Sequence, residues 1–248
     1  MDPFSFAPIG AVLEGAYALV TGIATLFTPL TGSLSAALAV VALTLIVRTL
    51  LIPVGASQVK AEWARRRIAP KLQAIQRKYK GKPELLQQKT MALYKAENVS
   101  PFAGFLPALL QLPVISVVYT LFIRTQIGDH PNALLDESLG GVTLGSHVLD
   151  AGWPGVLVYV ALFAVMAAVA WMTRRTTLRL AAGQPELTPG MARMQGVLSW
   201  LPFITIPFAA LVPLAATLYL ATTTLWTLIE RALLRRRYWK AAPSSLPA

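Results

Sequence analysis

Residues 34–54, LSAALAVVALTLIVRTLLIPV, hold one charge, Arg48, in 21 otherwise uncharged and mostly apolar positions. As a helix this run measures about 31 Å, enough to cross the ~30 Å hydrocarbon core of a bilayer. An arginine inside such a helix costs roughly 2.5–3.5 kcal/mol on insertion scales. Arg48 lies past the middle of the run, about two turns from its end. A chain that keeps it there has to fold around it.

The other charges are segregated. Residues 1–47 contain no Lys or Arg, whereas residues 60–95 contain eleven, 174–193 four and 231–240 five, together 20 of the 22 basic residues. Residues 126–150 hold Asp129, Asp136, Glu137 and Asp150 and no Lys or Arg. Charged residues make up only 13% of the chain and hydrophobic ones 55%; a soluble domain carries about 25% charged. The positive-inside rule then puts the three basic segments in the cytoplasm and the N-terminus and the acidic loop outside. With both ends fixed in this way the number of spans is odd. The absence of cysteine excludes a disulfide framework, a thiolate metal site and a Cys nucleophile.

Taken in order, residues 9–28 place Ile9, Val12, Leu13, Ala16, Tyr17, Val20, Ile23 and Phe27 at helical spacing. They read as an amphipathic helix on the outer membrane surface, with a sixth span as the alternative. Residues 1–33 have no basic n-region, so a secretory signal is not expected. The first span, 34–54, ends at Pro53 and Gly55. Residues 58–97 are polar, basic and rich in helix formers, and predict a cytoplasmic helical hairpin turning at Lys80-Gly81-Lys82, with Pro83 opening its second helix. A merely solvated loop is the alternative. A second span covers 102–123, an outer loop 125–151, and a third span 153–173 between Trp153 and Trp171. The two histidines, His130 and His147, fall in the outer loop, where solvated side chains are expected.

Met194 to Ile229 is a run of 36 residues without a charge, flanked by Arg193 and Arg231. Both flanks belong inside, so the run must cross twice, as spans 194–211 and 212–230. Two full crossings take about 40 residues. Pro202, Pro207 and Pro213 supply breaks, and the hairpin is compressed, either by turning within the outer leaflet or by thinning the bilayer. Residues 231–248 form a basic cytoplasmic tail that ends in a Pro/Ser-rich stub expected to be disordered. The expected fold is all-α: a single polytopic membrane domain over 1–248, with a five-transmembrane-helix core, a cytoplasmic helical hairpin and an N-terminal amphipathic surface helix.

No zinc-protease, serine-hydrolase, phosphate-loop or calcium-loop motif is present, and no carboxylate lies in the interior of a predicted span, Glu230 sitting at the last boundary. Catalytic residues, metal ligands and cofactors are therefore not expected, and the chain does not read as an enzyme. The chemistry within the membrane reduces to Arg48 and neutral polar side chains, among them Thr44, Gln111, Gln195, Thr217 and Thr222 to Thr224. Arg48 has three readings: it snorkels to the interface, it bonds carbonyls between helices, or it lines a wet cavity for an anionic group. A small-solute or anion channel or transporter is the alternative function class.

LTLIVRTLLIPV (43–54), IAPKLQAIQRKYKGKPELLQQKTMALYKAENVSP (68–101), FLPALLQLPVISVVY (105–119) and VPLAATLYLATTTLWTLIE (212–230) together resemble the YidC/Oxa/Alb family of membrane protein insertases, in the compact bacterial form without a large outer domain. The resemblance covers residues 34–230. Ser100-Pro101 stands where the family usually has Asn-Pro, and Ala216 and Leu220 replace a usual glycine and tryptophan. The resemblance implies an insertase and chaperone of the bacterial cell membrane, acting on nascent membrane proteins alone or with the Sec translocon. It implies a hydrated groove, closed outside, holding Arg48, Thr44, Gln111, Gln195 and Thr217. Substrates would slide into lipid along Val114, Val118, Tyr119 and Tyr219. The basic residues Arg235, Arg236, Arg237 and Lys240 would meet anionic lipid or ribosomal RNA.

Overall fold

A computed structural model describes residues 7–100, 109, 116–182 and 189–240. Its helices in chain order are α1 (Ala7–Thr31), α2 (Ser35–Leu50), α3 (Ile52–Lys78), α4 (Pro83–Ala96), α5 (116–121), α6 (Gly152–Ala182), α7 (Pro189–Leu198), α8 (Thr205–Ala210) and α9 (Leu214–Lys240). Two small antiparallel pairs, β1 (Gln126–Ile127) with β2 (His130–Pro131) and β3 (Ser138–Leu139) with β4 (Val142–Thr143), lie between α5 and α6. Most of the second predicted span and the Pro/Ser-rich stub fall outside the described residues. Among the described residues, Gly10–Leu50 and Gly152–Ala181 are long and apolar enough to cross a membrane. The chain divides into two compact units, residues 1–50, 112–174 and 200–228, and residues 51–111, 175–199 and 229–248.

In the first unit α1 packs along α2, joined by a 3-10 turn at Gly32–Leu34. Leu13 and Val20 of α1 are buried against the alanine-rich face of α2, where Ala36, Ala37 and Ala39 let the backbones come close. The opposite side of α2 exposes Leu38 and Leu45, and its last turns expose Ile46 and Leu50. A helix apolar on its exposed side as well as its packed side suits a lipid solvent.

The loop between α5 and α6 is part of this core. Ile127, Leu134, Leu135, Val142 and Leu144 are all buried within it. Gly140 and Gly141, both at positive φ, make the two-residue turn between β3 and β4, a conformation costly for any residue with a Cβ. Asn132 is buried and donates from Nδ2 to the carbonyls of Leu121 and Arg124, both at 2.8 Å, closing the end of α5. The loop also caps α9. The N–H groups of Leu214 and Ala215 donate to the carbonyls of Ser146 and Leu144, each at 2.9 Å, and the buried Tyr159 hydroxyl donates to Ser146 at 2.6 Å. Helix N-terminal amides have no partner within their own helix, so this loop replaces the water they would otherwise need.

Several helix ends lie away from where hydropathy suggests. The helix breaks at Leu51, and α3 starts at Ile52 with Pro53 in its first turn. Proline there starts a helix, because its missing N–H is one the first turn leaves unpaired anyway. α6 continues beyond residue 173 to Ala182, and α9 continues through the basic cluster to Lys240. Leu, Ala and Arg are good helix formers, so the change from apolar to basic residues does not stop either helix. Residues 194–211, one span in the sequence reading, are divided among α7, a 3-10 turn at Leu201–Ile204 and α8, with Pro202 and Pro207 inside the last two.

In the second unit α3 and α4 meet at Gly81, with Pro83 in the first turn of α4. The C-terminus of α4 is closed by a Schellman motif: Asn98 takes φ 52, Val99 N–H donates to Tyr94 O at 3.0 Å, and Asn98 N–H donates to Lys95 O at 3.2 Å. Val99 is buried beneath it. Glu97 then joins α4 to α3 through Lys71 and through Arg67 at 3.4 Å. The hydrogen bond from Lys71 holds the Glu97 carboxyl below its usual range, outweighing the desolvation that acts the other way; the charges of Lys71 and Arg67 add to it.

A carboxyl depressed in the folded state stabilises above its unfolded pKa and loses that contribution as pH falls through the folded value. Amide exchange of α4, corrected for intrinsic rates, should therefore accelerate as pH falls below about 4, near the ordinary carboxylate value. Glu97→Gln should show the faster exchange already at neutral pH, with the pH step gone. A step that persists in Glu97→Gln would assign it to another group.

Candidate functional site

Arg48 is buried, with 9% of its surface exposed. It stands at the end of the ridge Ala36, Val40, Thr44 and Arg48, four-residue steps along α2 that are all buried. This ridge faces protein, while Leu45, Ile46 and Leu50 on the same turns are exposed. The side chain is thus aimed into the first unit and away from the lipid-facing side of its helix. Its charge acts on the phenol of Tyr219 on α9, itself buried in the core cluster. Around Tyr219 the unit is aromatic: Phe122 lies 6.1 Å away, and Tyr119 stacks on Phe208 at 6.0 Å.

The threonine hydroxyls of α2 and α9 are mostly committed to backbone. Thr44 donates to Val40 O at 2.7 Å, Thr222 to Leu218 O at 2.8 Å, Thr224 to Ala221 O at 3.0 Å and Thr227 to Thr223 O at 2.8 Å. Such bonds satisfy a hydroxyl on its own helix without a partner across the unit. Thr217 does more. Pro213 has no N–H for the Ala209 carbonyl four residues back, and the Thr217 hydroxyl donates to that carbonyl instead, at 2.8 Å. Thr217 is fully buried, so its hydroxyl repairs the turn between α8 and α9.

The sequence-predicted site residues thus divide. Arg48, Thr44, Thr217, Val118, Tyr119 and Tyr219 belong to the first unit; Gln195 belongs to the second, where it is half-buried and its carbonyl accepts the Ser199 N–H at 3.0 Å. Gln111 and Val114 lie outside the described residues. Val118 and Tyr219 are core side chains, and Tyr119 is half-buried. Arg236 and Arg237 are exposed on α9, and Lys240 is its last residue. Arg235 is engaged: it pairs with Glu62 of α3 at 3.0 Å, and Arg66 holds the same carboxylate at 2.8 Å. Lys60 lies over the Tyr238 ring at 5.3 Å, so the end of α9 is fastened to the start of α3 within the second unit. Sequence reasoning did not single out Glu62, Asn132 or the Thr217–Pro213 relation. For the last a signal exists, a threonine four residues after a proline in an apolar run.

The pattern of the 60Kd inner membrane protein family matches residues 26–241. The chain belongs to that family, the YidC/Oxa/Alb family that the sequence resembles, and is a membrane protein. It is 40% identical over 117 residues to the membrane protein insertase YidC of Oceanobacillus iheyensis, 45% of this chain and 44% of that one. It is 27% identical over 202 residues to the membrane protein insertase MisCA of Bacillus subtilis, 80% of this chain and 69% of that one. It is 27% identical over 240 residues to the chloroplastic ALBINO3-like protein 1 of Arabidopsis thaliana, 88% of this chain and 46% of that one. The chain spans less than half the length of the first curated relatives it matches, 44%, 34% and 47%.

Replacing Thr217 by valine keeps the shape and removes the donor that replaces the missing Pro213 N–H. The Ala209 carbonyl is then left without a donor in a buried site, at a cost of about 1–3 kcal/mol. Thermal unfolding of purified Thr217→Val should shift down accordingly, and Thr217→Ser should recover most of the loss. Equal melting of all three would show that the hydroxyl carries no structural weight.

Proposed function

We propose that the chain is a membrane protein insertase and chaperone that receives nascent hydrophobic proteins beside Arg48 and releases them laterally into the bilayer. The observation that carries this reading is the burial of Arg48 on the protein-facing ridge of an otherwise apolar helix, in a chain whose relatives are named insertases. A charge held inside the unit attracts the acidic or polar tail of a substrate part-way across the membrane. That shortens the distance over which polar groups, at several kcal/mol each, must be desolvated. Burial of the substrate's apolar helix in lipid then drives the step, with no nucleotide. Tyr119, half-buried beside Phe208, is the predicted slide residue whose packing suits a lipid-facing edge.

The topology proposed with it has five spans, the N-terminus outside and the C-terminus, the α3–α4 hairpin and the basic end of α9 in the cytoplasm. Lys and Arg placement supports the sidedness. α1 is read as a helix along the outer surface. Glu14 lies against Gly128, Tyr17 packs on His130 at 5.0 Å and accepts the Ala133 N–H at 3.3 Å, and the turn after α1 sits beside β3. These points span about 27 Å along the helix at 1.5 Å per residue, yet all meet the same loop. Residues 194–210 allow at most about 25 Å of helix before the turn at Pro213, which favours a thinned bilayer there. The Sec translocon and the ribosome are proposed partners. The exposed Arg236 and Arg237, and not the engaged Arg235, are the groups proposed for ribosomal RNA.

The test is insertion of a single-span substrate with an acidic outer tail into liposomes, scored by protease protection. The wild-type chain should give protection that protein-free liposomes lack. Arg48→Ala should reduce the yield about fivefold, the worth of one solvated charge contact at ~1 kcal/mol, and Arg48→Lys should retain most of it. Equal yields for all three would remove the electrostatic step. Solute flux without protection would favour a channel instead.

The combined change Arg236→Gln and Arg237→Gln should lower ribosome co-sedimentation, with the difference shrinking as salt rises. Pelleting equal to wild type at low salt would remove the ribosomal role.

A further inference from the structure

The α6 helix carries no charge from Gly152 through Thr173, and its first charged residue is Arg174. The guanidinium lies 4.2 Å from the centroid of the Trp200 ring and 5.8 Å from that of Trp171. Trp200 is itself packed on Phe203 at 5.1 Å, so the ring beneath the cation is held in place. Among the described residues no carboxylate or carbonyl accepts from Arg174, and its buried Nε has no acceptor. The rim around it is apolar and open: Trp171, Met172, Trp200, Leu201 and Ile204 are each at least half exposed.

A cation stacked on indole rings is attracted to their faces, but the rings do not neutralise its charge. A fixed guanidinium offers a planar fork that matches two oxygens of a phosphate. The open apolar rim asks for hydrocarbon beside that anion. One molecule supplies both, an anionic phospholipid, whose headgroup carries the phosphate and whose chains cover the rim. We propose that Arg174, Trp171 and Trp200 form a binding site for the phosphate headgroup of an anionic phospholipid. The basic hairpin and the end of α9 attract anionic lipid diffusely, by summed charge. Here a single positioned cation on an aromatic floor holds one lipid.

The test uses the full chain purified in a neutral detergent, with melting followed as phosphatidylglycerol, phosphatidylcholine or inorganic phosphate is added. A ligand that binds the folded state raises the melting temperature in proportion to its affinity. Phosphatidylglycerol should stabilise the wild type at concentrations where phosphatidylcholine and inorganic phosphate do not. Arg174→Gln should need about tenfold more phosphatidylglycerol for the same shift, the usual worth of one charge-assisted bond. Native mass spectrometry should show one fewer retained phosphatidylglycerol. Trp200→Leu keeps the charge, loses the floor, and should fall between the two. If Arg174→Gln melts lower in detergent alone but responds to phosphatidylglycerol like the wild type, the stack is only a structural clasp and the proposal fails. It fails also if phosphatidylcholine or inorganic phosphate matches phosphatidylglycerol.

Discussion

In a hydrocarbon solvent a backbone carbonyl or amide has no water to fall back on, and each one left unpaired costs several kcal/mol. That constraint governs the end of this chain. Between Met194 and Ile229 the sequence places three prolines in an uncharged run, so the helix there is broken more than once. The breaks are repaired locally. The Thr217 hydroxyl donates to the Ala209 carbonyl that Pro213 cannot serve, and the loop carbonyls of Leu144 and Ser146 accept the first amides of α9. Tyr159 adds a second donor to Ser146. The loop between α5 and α6, distant in sequence, thereby becomes the N-terminal cap of the last helix. Its own apolar side chains are buried for the same reason: a cap has to be rigid to hold two amides in line.

What was legible in the sequence follows from this. The membrane class and the helical fold are written in a composition that leaves little else possible, and local punctuation was readable where one residue decides it. Gly81 and Pro83 mark the meeting of α3 and α4 because each has a conformational property few residues share. Helix ends at the change from apolar to basic residues were not readable. Hydropathy reports the solvent, while helix continuity is set by backbone propensity, and α6 and α9 run straight through the change. The small strands around Gly140 and Gly141 escaped notice because two-residue strands leave almost no periodicity. At the candidate site, Arg48 was visible as the one charge in its run. That Thr217 serves a carbonyl and Arg235 serves Glu62 needed coordinates, since both depend on what lies opposite in space.

Three arginines show three ways of keeping one side chain in or beside an apolar environment. Arg235 is neutralised by a carboxylate, Glu62, which it shares with Arg66, so its charge is spent on holding α9 to α3. Arg174 is laid on the faces of Trp200 and Trp171, which shield it from hydrocarbon but leave its charge for an anion from outside the chain. Arg48 is buried on the packed ridge of α2, next to a phenol and one turn from Thr44, whose hydroxyl is turned to its own helix. A guanidinium stays protonated at any accessible pH, so none of the three can escape its cost by losing a proton. The cost must be met by an opposite charge, by an aromatic face or by polar solvent. Arg48 meets it on the packed side of α2, beside the Tyr219 phenol, which sets it apart from the carboxylate-bound Arg235 and the indole-stacked Arg174.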